Sequence, residues 1–188
     1  MTVEEKIVEG CIGGKRRAQN QLYQKYSAGM LGVCMRYSKN TAEAEDILQE
    51  GFIKVFKYIK NYRKEGSFEG WIRRIMVNSA ITQFNKNKIY FEEINEEKME
   101  LPEDAETNDT YAPVDQEVLL NLIQNMPEGY KMVLNLYVFE GYTHKEISEI
   151  LNISENTSKS QLSKARKFLK RKLEELNKAK TASLAYGR

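Results

Sequence analysis

The sequence predicts an all-α protein of two small helical domains joined by an extended acidic linker. The 188 residues include only three prolines, and strand-like alternation of apolar and polar residues is scarce. Apolar residues instead recur at steps of three and four, the spacing that places them on one face of an α-helix. A dense run of acidic residues separates two such blocks, and a chain of this length suffices for two small domains.

The first helical domain is predicted over residues 1–88. Thr41 is the expected N-cap of one helix, and the loop KNYRKEGSF, with its glycine and polar residues, separates that helix from the next. Both helices carry an apolar stripe, so they are expected to pack together. The stripes consist of Leu48, Phe52, Val55, Phe56 and Ile59, and of Phe68, Trp71, Ile72, Ile75, Met76 and Ala80.

The linker is predicted over residues 89–113. Residues 89–117 hold 11 of the 27 acidic residues of the chain and one of its 29 basic residues. Because like charges repel and Pro102 and Pro113 oppose helix formation, this segment is expected to be flexible and extended. A passive tether is the simplest role for it. The rest of the chain is strongly basic, which is typical of surfaces that face a polyanion.

The second helical domain is predicted over residues 114–179, and residues 180–188 are predicted to form a disordered tail. The helix VLLNLIQNM should stop before Pro127, since the residue before a proline avoids helical geometry. A second helix should start after Pro127 and end at Gly141.

A helix-turn-helix is predicted within YTHKEISEILNISENTSKSQLSKARKFLKR, residues 142–171. Thr143 and Glu146 have the spacing of a capping box, so the first helix begins at His144. Asn152 tolerates the left-handed backbone of a tight turn, and Ser154 can cap the second helix. Two short helices with a turn of this length are typical of DNA-binding proteins.

The second of these helices has a narrow apolar stripe and otherwise basic and small polar faces. Such a helix fits the major groove, and its cations neutralise phosphates. A solvated basic face is the alternative, and a free-standing repressor would carry the same motif. The stripe consists of Leu162, Ala165, Leu169, Leu173 and Leu176; the other faces hold Lys159, Ser160, Ser163, Lys164, Arg166, Lys167, Lys170, Arg171 and Lys172.

Two further surfaces are predicted in the first domain. The helix AEDILQEGFIKVF places Asp46, Gln49, Glu50 and Ile53 on one side, which suits docking of another protein or, alternatively, a solvated face. Downstream, aromatic residues alternate with cations, a combination that binds unstacked bases and phosphates of a single strand. Phe68 and Trp71 can alternatively be core residues. The aromatic and basic set is Tyr62, Phe68 and Trp71 with Arg63, Lys64, Arg73 and Arg74.

Several classes of function are disfavoured by composition. His144 is the single histidine, which argues against histidine-based catalysis and metal sites, and no cofactor is expected. The dense carboxylates lie in the predicted linker, which cannot hold a metal at fixed geometry, so an enzyme acting on nucleic acid is disfavoured. No apolar run approaches the length of a membrane helix and no secretory signal is present, so a cytoplasmic location is expected. Cys11 and Cys34 are expected to be buried, reduced thiols.

Three motifs together resemble those of bacterial RNA polymerase sigma factors of the extracytoplasmic-function (ECF) group. They are AEDILQEGF, GSFEGWIRRIMVN and GYTHKEISEILNISENTSKSQLSKARKFL, in the order of the family, and the resemblance covers about Leu22 to Leu176. It implies a transcription initiation factor without an active site, which binds core RNA polymerase, directs it to −35 and −10 promoter elements and helps open the DNA. It also implies an anti-sigma factor as a partner.

The resemblance further implies roles for single residues. The motif DILQEG matches the segment that grips the polymerase clamp helices, which makes Asp46, Gln49 and Glu50 candidates. Tyr62 and Asn78 match positions of the −10 base pocket, Trp71 matches the tryptophan beside the point of strand separation, and the helices of residues 118–141 would face the polymerase flap. The positions expected at the −35 element are Thr157, Lys159, Ser160, Ser163, Lys164, Arg166 and Lys167.

This sequence departs from the family pattern at three positions of the helix-turn-helix. Ser158 stands where valine is usual, Gln161 where arginine is usual, and Asn152 where the turn usually has glycine. We expect looser packing at Ser158 and one charge fewer for phosphates at Gln161. A free-standing helix-turn-helix regulator is the alternative function, although it would not need the DILQEG motif.

Overall fold

The computed structural model describes residues 2–91 and 114–186, and this part of the chain is helical, without strands. The chain divides into two compact units, Met1–Glu93 and Ile94–Arg188. The predicted all-α class is therefore confirmed. Most of the predicted acidic linker, residues 92–113, lies outside the described residues, and the predicted domain limits stay predictions.

The described residues of the first unit, 2–91, form four α-helices and a short 3-10 turn. The turn follows the third helix, and an irregular loop leads from it to the fourth. Asn40, rather than the predicted Thr41, caps α3, because the Asn40 side chain accepts a 2.9 Å hydrogen bond from the backbone N–H of Glu43. The helices are α1 (Val3–Ile12), α2 (Arg16–Met35), α3 (Thr41–Tyr58) and α4 (Phe68–Phe91), with the 3-10 turn at Ile59–Asn61.

The core of the first unit lies between α2, α3 and α4. Leu22, Val55 and Ile72 are fully buried there, one from each helix. α3 and α4 approach closely at Gly51, where a Cβ would collide with the side chain of Met76. Cys11 and Cys34 are free and buried, as predicted, and burial raises the pKa of the Cys34 thiol to about 12.

Residues 114–186, the described part of the second unit, also form four α-helices. A five-residue π-helical stretch, Asn135–Phe139, continues the second of them, where the sequence predicts one helix as far as Gly141. The last helix runs to Tyr186, whereas a disordered tail is predicted from residue 180. Its final turns contain Ala, Lys and Leu without Gly or Pro, a composition that favours helix. The helices are α5 (Gln116–Gln124), α6 (Glu128–Leu134), α7 (His144–Leu151) and α8 (Glu155–Tyr186).

The core of the second unit contains apolar residues from all four helices and one lysine. Lys131 is 1% exposed, and its ammonium donates a 2.8 Å hydrogen bond to the carbonyl of Gln124 at the end of α5. The apolar stripe predicted for α8 is partly wrong. Leu176 is 38% exposed, whereas Phe168, outside the predicted stripe, is buried. Phe168 follows Ala165 by three residues and so stays on the face that packs against the unit.

Neither a membrane-spanning helix nor a metal site is found among the described residues. No helix there combines the length and apolar character that a bilayer crossing requires. No group of three or more His, Cys, Asp or Glu side chains in the same part of the chain is arranged to hold a metal ion.

Candidate nucleic-acid interface

An aromatic cluster lies at the start of α4 and in the loop before it. The rings of Phe68 and Trp71 are stacked at a centroid distance of 5.6 Å and an angle of 17°. Tyr62 meets Phe68 edge-on at 4.9 Å and lies 5.6 Å from Trp71. Tyr26 of α2 contacts the Phe68 ring from another side, at 5.8 Å. The sequence predicts that three of these four rings lie together, but it does not indicate Tyr26, which is 36 positions before Tyr62 in the chain.

The loop before α4 is fixed by local hydrogen bonds. The Tyr62 hydroxyl donates to the carbonyl of Gly66 at 2.9 Å, and Ser67 accepts from the N–H of Gly70 at 3.0 Å, which caps α4. Gly66 has a φ of 97° and Lys64 a φ of 60°, so the chain turns tightly between the two aromatic positions. The side chains of this loop therefore project from a backbone whose conformation is fixed by these hydrogen bonds.

One of the residues predicted to contact a DNA strand is a core residue instead. Phe68 is 2% exposed, so a base cannot stack on its ring, and it supports the other rings from beneath. The side chains of Tyr62 and Trp71 are half-buried and keep part of their surface accessible. The accessible cations and amide around them are Arg63, Lys64, Arg74 and Asn78, all of which are exposed.

Lys64 is linked to the N-terminal helix. Its ammonium lies 3.5 Å from a carboxylate oxygen of Glu5. The pKa of Glu5 is lowered first by the hydrogen bond from the backbone of Thr2 and then by the charge of Lys64. A solvated pair of this kind is weak, so a phosphate can compete with Glu5 for Lys64.

The face of α3 predicted to dock another protein is exposed. Ile53 is 67% exposed, and Asp46 and Gln49 beside it are also exposed. Next to Gln49, an open groove of about 360 Å³ runs between α2 and α3. Its lining includes Tyr23, Ser27, Leu31, Glu45 and Leu48.

Glu50, the fourth residue of this face, has an ion-pair partner on the same helix. Lys54 lies 2.8 Å from the Glu50 carboxylate and also donates a 3.1 Å hydrogen bond to the hydroxyl of Ser79 on α4. The i, i+4 spacing of Glu50 and Lys54 is a recognisable signal for the ion pair. Nothing in the sequence indicates the second bond, because Ser79 is 25 residues away.

The helix-turn-helix has the local bonds that its sequence predicts. The hydroxyl of Thr143 accepts from the N–H of Glu146 at 3.3 Å, and the Glu146 carboxylate accepts from the N–H of Thr143 at 2.8 Å. The second bond lowers the pKa of Glu146. Asn152 has a φ of 52°, and Ser154 accepts from the N–H of Thr157 at 2.9 Å. The predicted capping box, turn and second cap are confirmed.

The family departure at Ser158 is accommodated by a polar pair. Ser158 is fully buried, and its hydroxyl lies 2.9 Å from Nδ1 of His144 at the start of α7. The His144 ring stacks on Tyr137 at 4.6 Å and 22°. The expected loss of packing at this position is thus offset by a hydrogen bond between the two helices of the motif.

Gln161 does not lie where its predicted role requires. Its side chain packs against α6, so that a Cβ at Gly129 would be only 3.1 Å from the Gln161 amide oxygen. That oxygen is buried and has no hydrogen-bond partner within the described residues. A Cβ at residue 129 would require the Gln161 amide to shift by a few tenths of an ångström.

The remaining candidates for duplex DNA lie along α8. Thr157, Lys164 and Lys167 are half-buried, and the Thr157 carbonyl accepts from the Ser160 hydroxyl at 2.9 Å. Within residues 114–179, Lys159, Lys164 and Arg166 form no ion pair with an acidic side chain. Their charges are therefore available for phosphates. The exposed members of the set are Lys159, Ser160, Ser163 and Arg166.

Comparison with known proteins finds the same family on both units. The family model described as Sigma-70 region 2 matches residues 22–89, and that described as Sigma-70, region 4 matches residues 116–169. The RNA polymerase sigma-H factor of Pseudomonas aeruginosa is 27% identical over 187 residues, covering 92% of this chain and 95% of the relative. The ECF RNA polymerase sigma-E factor of Haemophilus influenzae is 29% identical over 189 residues, covering 92% and 96%.

Among solved structures, a complex of the sigma factor RpoE with the anti-sigma factor NepR from Bartonella quintana is similar. The match is 18% identical, covers 85% of this chain and 96% of that chain, and has a TM-score of 0.48.

Proposed function

Because the chain belongs to the ECF group of the sigma-70 family and is an alternative sigma factor for transcription initiation, we propose that its two units engage two separate promoter elements for core RNA polymerase. One observation carries this proposal. The two family matches, residues 22–89 and 116–169, fall one on each compact unit, and each unit exposes cations beside its matched motif.

In the first unit, we assign polymerase docking to the exposed face of α3. The accessible apolar surface of Ile53 provides a contact that is favourable when buried, and the acids and amide around it provide directional polar contacts. The groove next to Gln49 would accommodate a side chain of the polymerase clamp helices. The docking set is Asp46, Gln49, Glu50 and Ile53.

The aromatic cluster of the same unit is assigned to the opened −10 strand. Flipping a base out of the duplex costs a few kcal/mol, and stacking on an aromatic ring returns roughly 1–3 kcal/mol per base. Tyr62 and Trp71 supply the rings, and Asn78 supplies an amide for a base edge. The phosphate contacts are assigned to Arg63, Lys64 and Arg74.

The second unit is assigned to the −35 duplex. Helix α8 presents its N-terminal half from the turn at Asn152, and a helix of this kind fits the major groove. The helices before it, α5 and α6, are assigned to the polymerase flap. The −35 contacts are assigned to Thr157, Lys159, Ser160, Ser163, Lys164, Arg166 and Lys167.

The remaining assignments follow from this role. The chain places and opens DNA while polymerase performs the chemistry, so it has no catalytic residues of its own and acts in the cytoplasm. An anti-sigma factor is proposed as its regulator, as NepR is the anti-sigma partner of RpoE in the complex from Bartonella quintana.

Run-off transcription from a promoter library with purified core polymerase tests the function. The chain should select start sites that share −35 and −10 elements. Ile53→Asp should abolish selection without unfolding the chain, because the Ile53 side chain is 67% exposed. Val3→Asp is the matched control, since Val3 is an even more exposed apolar residue, at 76%, on a different helix.

The opposite result would favour the alternative regulator. A chain that binds a palindromic duplex tightly without polymerase, and that gives polymerase no start-site preference, is a free-standing repressor or activator rather than a sigma factor. An Ile53→Asp chain that still selects promoters would remove α3 from the docking surface.

A further inference from the structure

Lys54 connects two helices that carry different proposed contacts. Its ammonium lies 2.8 Å from Glu50 on the docking face of α3 and 3.1 Å from the hydroxyl of Ser79 on α4. Ser79 is fully buried and directly follows Asn78, which is exposed and assigned to the −10 strand. The Lys54 side chain thus bonds the Glu50 carboxylate, which is assigned to polymerase docking. It also bonds the turn of α4 that carries Asn78, whose amide is assigned to the −10 strand.

The two bonds of Lys54 depend on each other. A solvated i, i+4 ion pair is weak because two long side chains must be held in one geometry. Here the Lys54 side chain is 30% exposed, and its bond to a buried hydroxyl already restricts its rotamers. Glu50, whose side chain is 42% exposed, therefore meets an ammonium in a fixed position. Fixing a contact residue before binding lowers the entropic cost of forming the complex.

We propose that Lys54 is a positioning residue that holds the Glu50 carboxylate ready for polymerase and holds the Asn78 turn of α4 against α3. This role rests on the proposed function of the two surfaces. Lys54 itself need not touch polymerase or DNA. It acts through its bond to Glu50, here called the Glu50 arm, and through its bond to Ser79, here called the Ser79 arm. A substitution of Glu50 or of Ser79 removes the corresponding bond.

The Glu50 arm is tested by the affinity of the full-length chain for core polymerase, measured by anisotropy of a labelled chain. Lys54→Met keeps the aliphatic stem and removes the ammonium, and it should weaken core binding roughly threefold, as expected for one lost hydrogen bond. In a Glu50→Ala background the same change should have no further effect. Lys57→Met is the control, because Lys57 is an exposed lysine of the same helix whose ammonium lies over Tyr58.

The Ser79 arm is tested by binding of a single-stranded −10 oligonucleotide to polymerase carrying each variant. Ser79→Ala and Lys54→Met should each weaken binding roughly threefold, and the double variant should lose no more than either single one. Ser79→Ala should weaken the affinity for core polymerase by less than Lys54→Met does, because Lys54 keeps its pair with Glu50 and loses only the bond that fixes its position. Lys54→Arg, which retains the charge and donors, should restore most of both affinities.

The outcomes separate this role from general destabilisation and from the proposed function. The positioning role predicts that Lys54→Met adds no loss of affinity to Glu50→Ala or to Ser79→Ala. It would be overturned if the loss in both double variants equalled the product of the single losses, or if Lys57→Met lost as much affinity as Lys54→Met. A wild-type chain without affinity for core polymerase would overturn the proposed function itself, and this role with it.

Discussion

Three cations on α8 should control the salt dependence of −35 binding. Lys159, Lys164 and Arg166 make no ion pair within residues 114–179, so each is free to neutralise a phosphate. Neutralising one phosphate of B-DNA contributes about 0.9 to the slope of log affinity against log salt. Arg166→Ala should therefore lower the slope by about 0.9, and the triple alanine variant by about 2.7, if every cation makes one contact.

The same relation gives the size of the affinity change. The ratio of wild-type to Arg166→Ala affinity for the duplex should be about 3.5-fold smaller at 200 mM than at 50 mM salt, because the variant releases one counterion fewer. The assay is anisotropy of a labelled −35 duplex titrated with polymerase carrying each chain, at four or more salt concentrations. The loss should be similar for sequences with and without a −35 element, since a phosphate contact carries no sequence information.

Lys172→Ala is the matched control for this experiment. Lys172 is a basic residue of the same helix, but its ammonium lies 2.8 Å from Glu175 and is already neutralised. Its removal should leave the slope unchanged. A slope that is unchanged in the triple variant, or that falls equally in Lys172→Ala and Arg166→Ala, would refute the assignment of α8 to duplex DNA.

Three further predictions concern the fold and the strand-binding surface. Thr143→Ala should lower the free energy of unfolding by about 1 kcal/mol, since it removes one half of the capping box; an unchanged midpoint in chemical denaturation would contradict this. The pKa of Glu4 is lowered, chiefly by the hydrogen bond from Tyr26, so this bond stabilises the fold above the ordinary carboxyl pKa and is lost as the pH falls through the lowered value. Glu4→Gln should flatten the acid side of the stability profile, and an unflattened profile would exclude the bond as its source. Tyr62→Ala should weaken −10 strand binding by roughly 1–3 kcal/mol with the fold intact, whereas Phe68→Ala should destabilise the first unit by about 3–5 kcal/mol; equal unfolding by both would make Tyr62 a core residue.

The features that the sequence predicts well are encoded over a few residues. The capping box of Thr143, the left-handed turn at Asn152 and the cap at Ser154 each depend on a hydrogen bond or backbone angle within three positions. The cap of α3 is displaced by one position, from Thr41 to Asn40, because both residues are good caps and spacing alone does not choose between them.

The features that the sequence could not predict are contacts between helices. Ser158 appears from the sequence to be a packing defect, but its hydroxyl bonds His144, 14 positions away. Gln161 appears from the family pattern to be a lost charge on the DNA face, but it packs against Gly129 of α6. Each assignment depends on which neighbour the fold brings close, and helical periodicity gives only the face of a residue, not its partner.

The aromatic cluster illustrates why a buried residue matters to a surface function. Phe68 cannot contact a base, yet its ring stacks on Trp71 and meets Tyr62 edge-on, so it restricts the rotamers of both. Stacking returns roughly 1–3 kcal/mol per base, which is comparable to the few kcal/mol that base flipping costs. Ordering a mobile side chain on binding costs about 0.5–1.5 kcal/mol. This cost is enough to make the net free energy of base flipping and stacking unfavourable. In the proposed role of this cluster, capture of the strand therefore depends on rings that the core has already fixed in place.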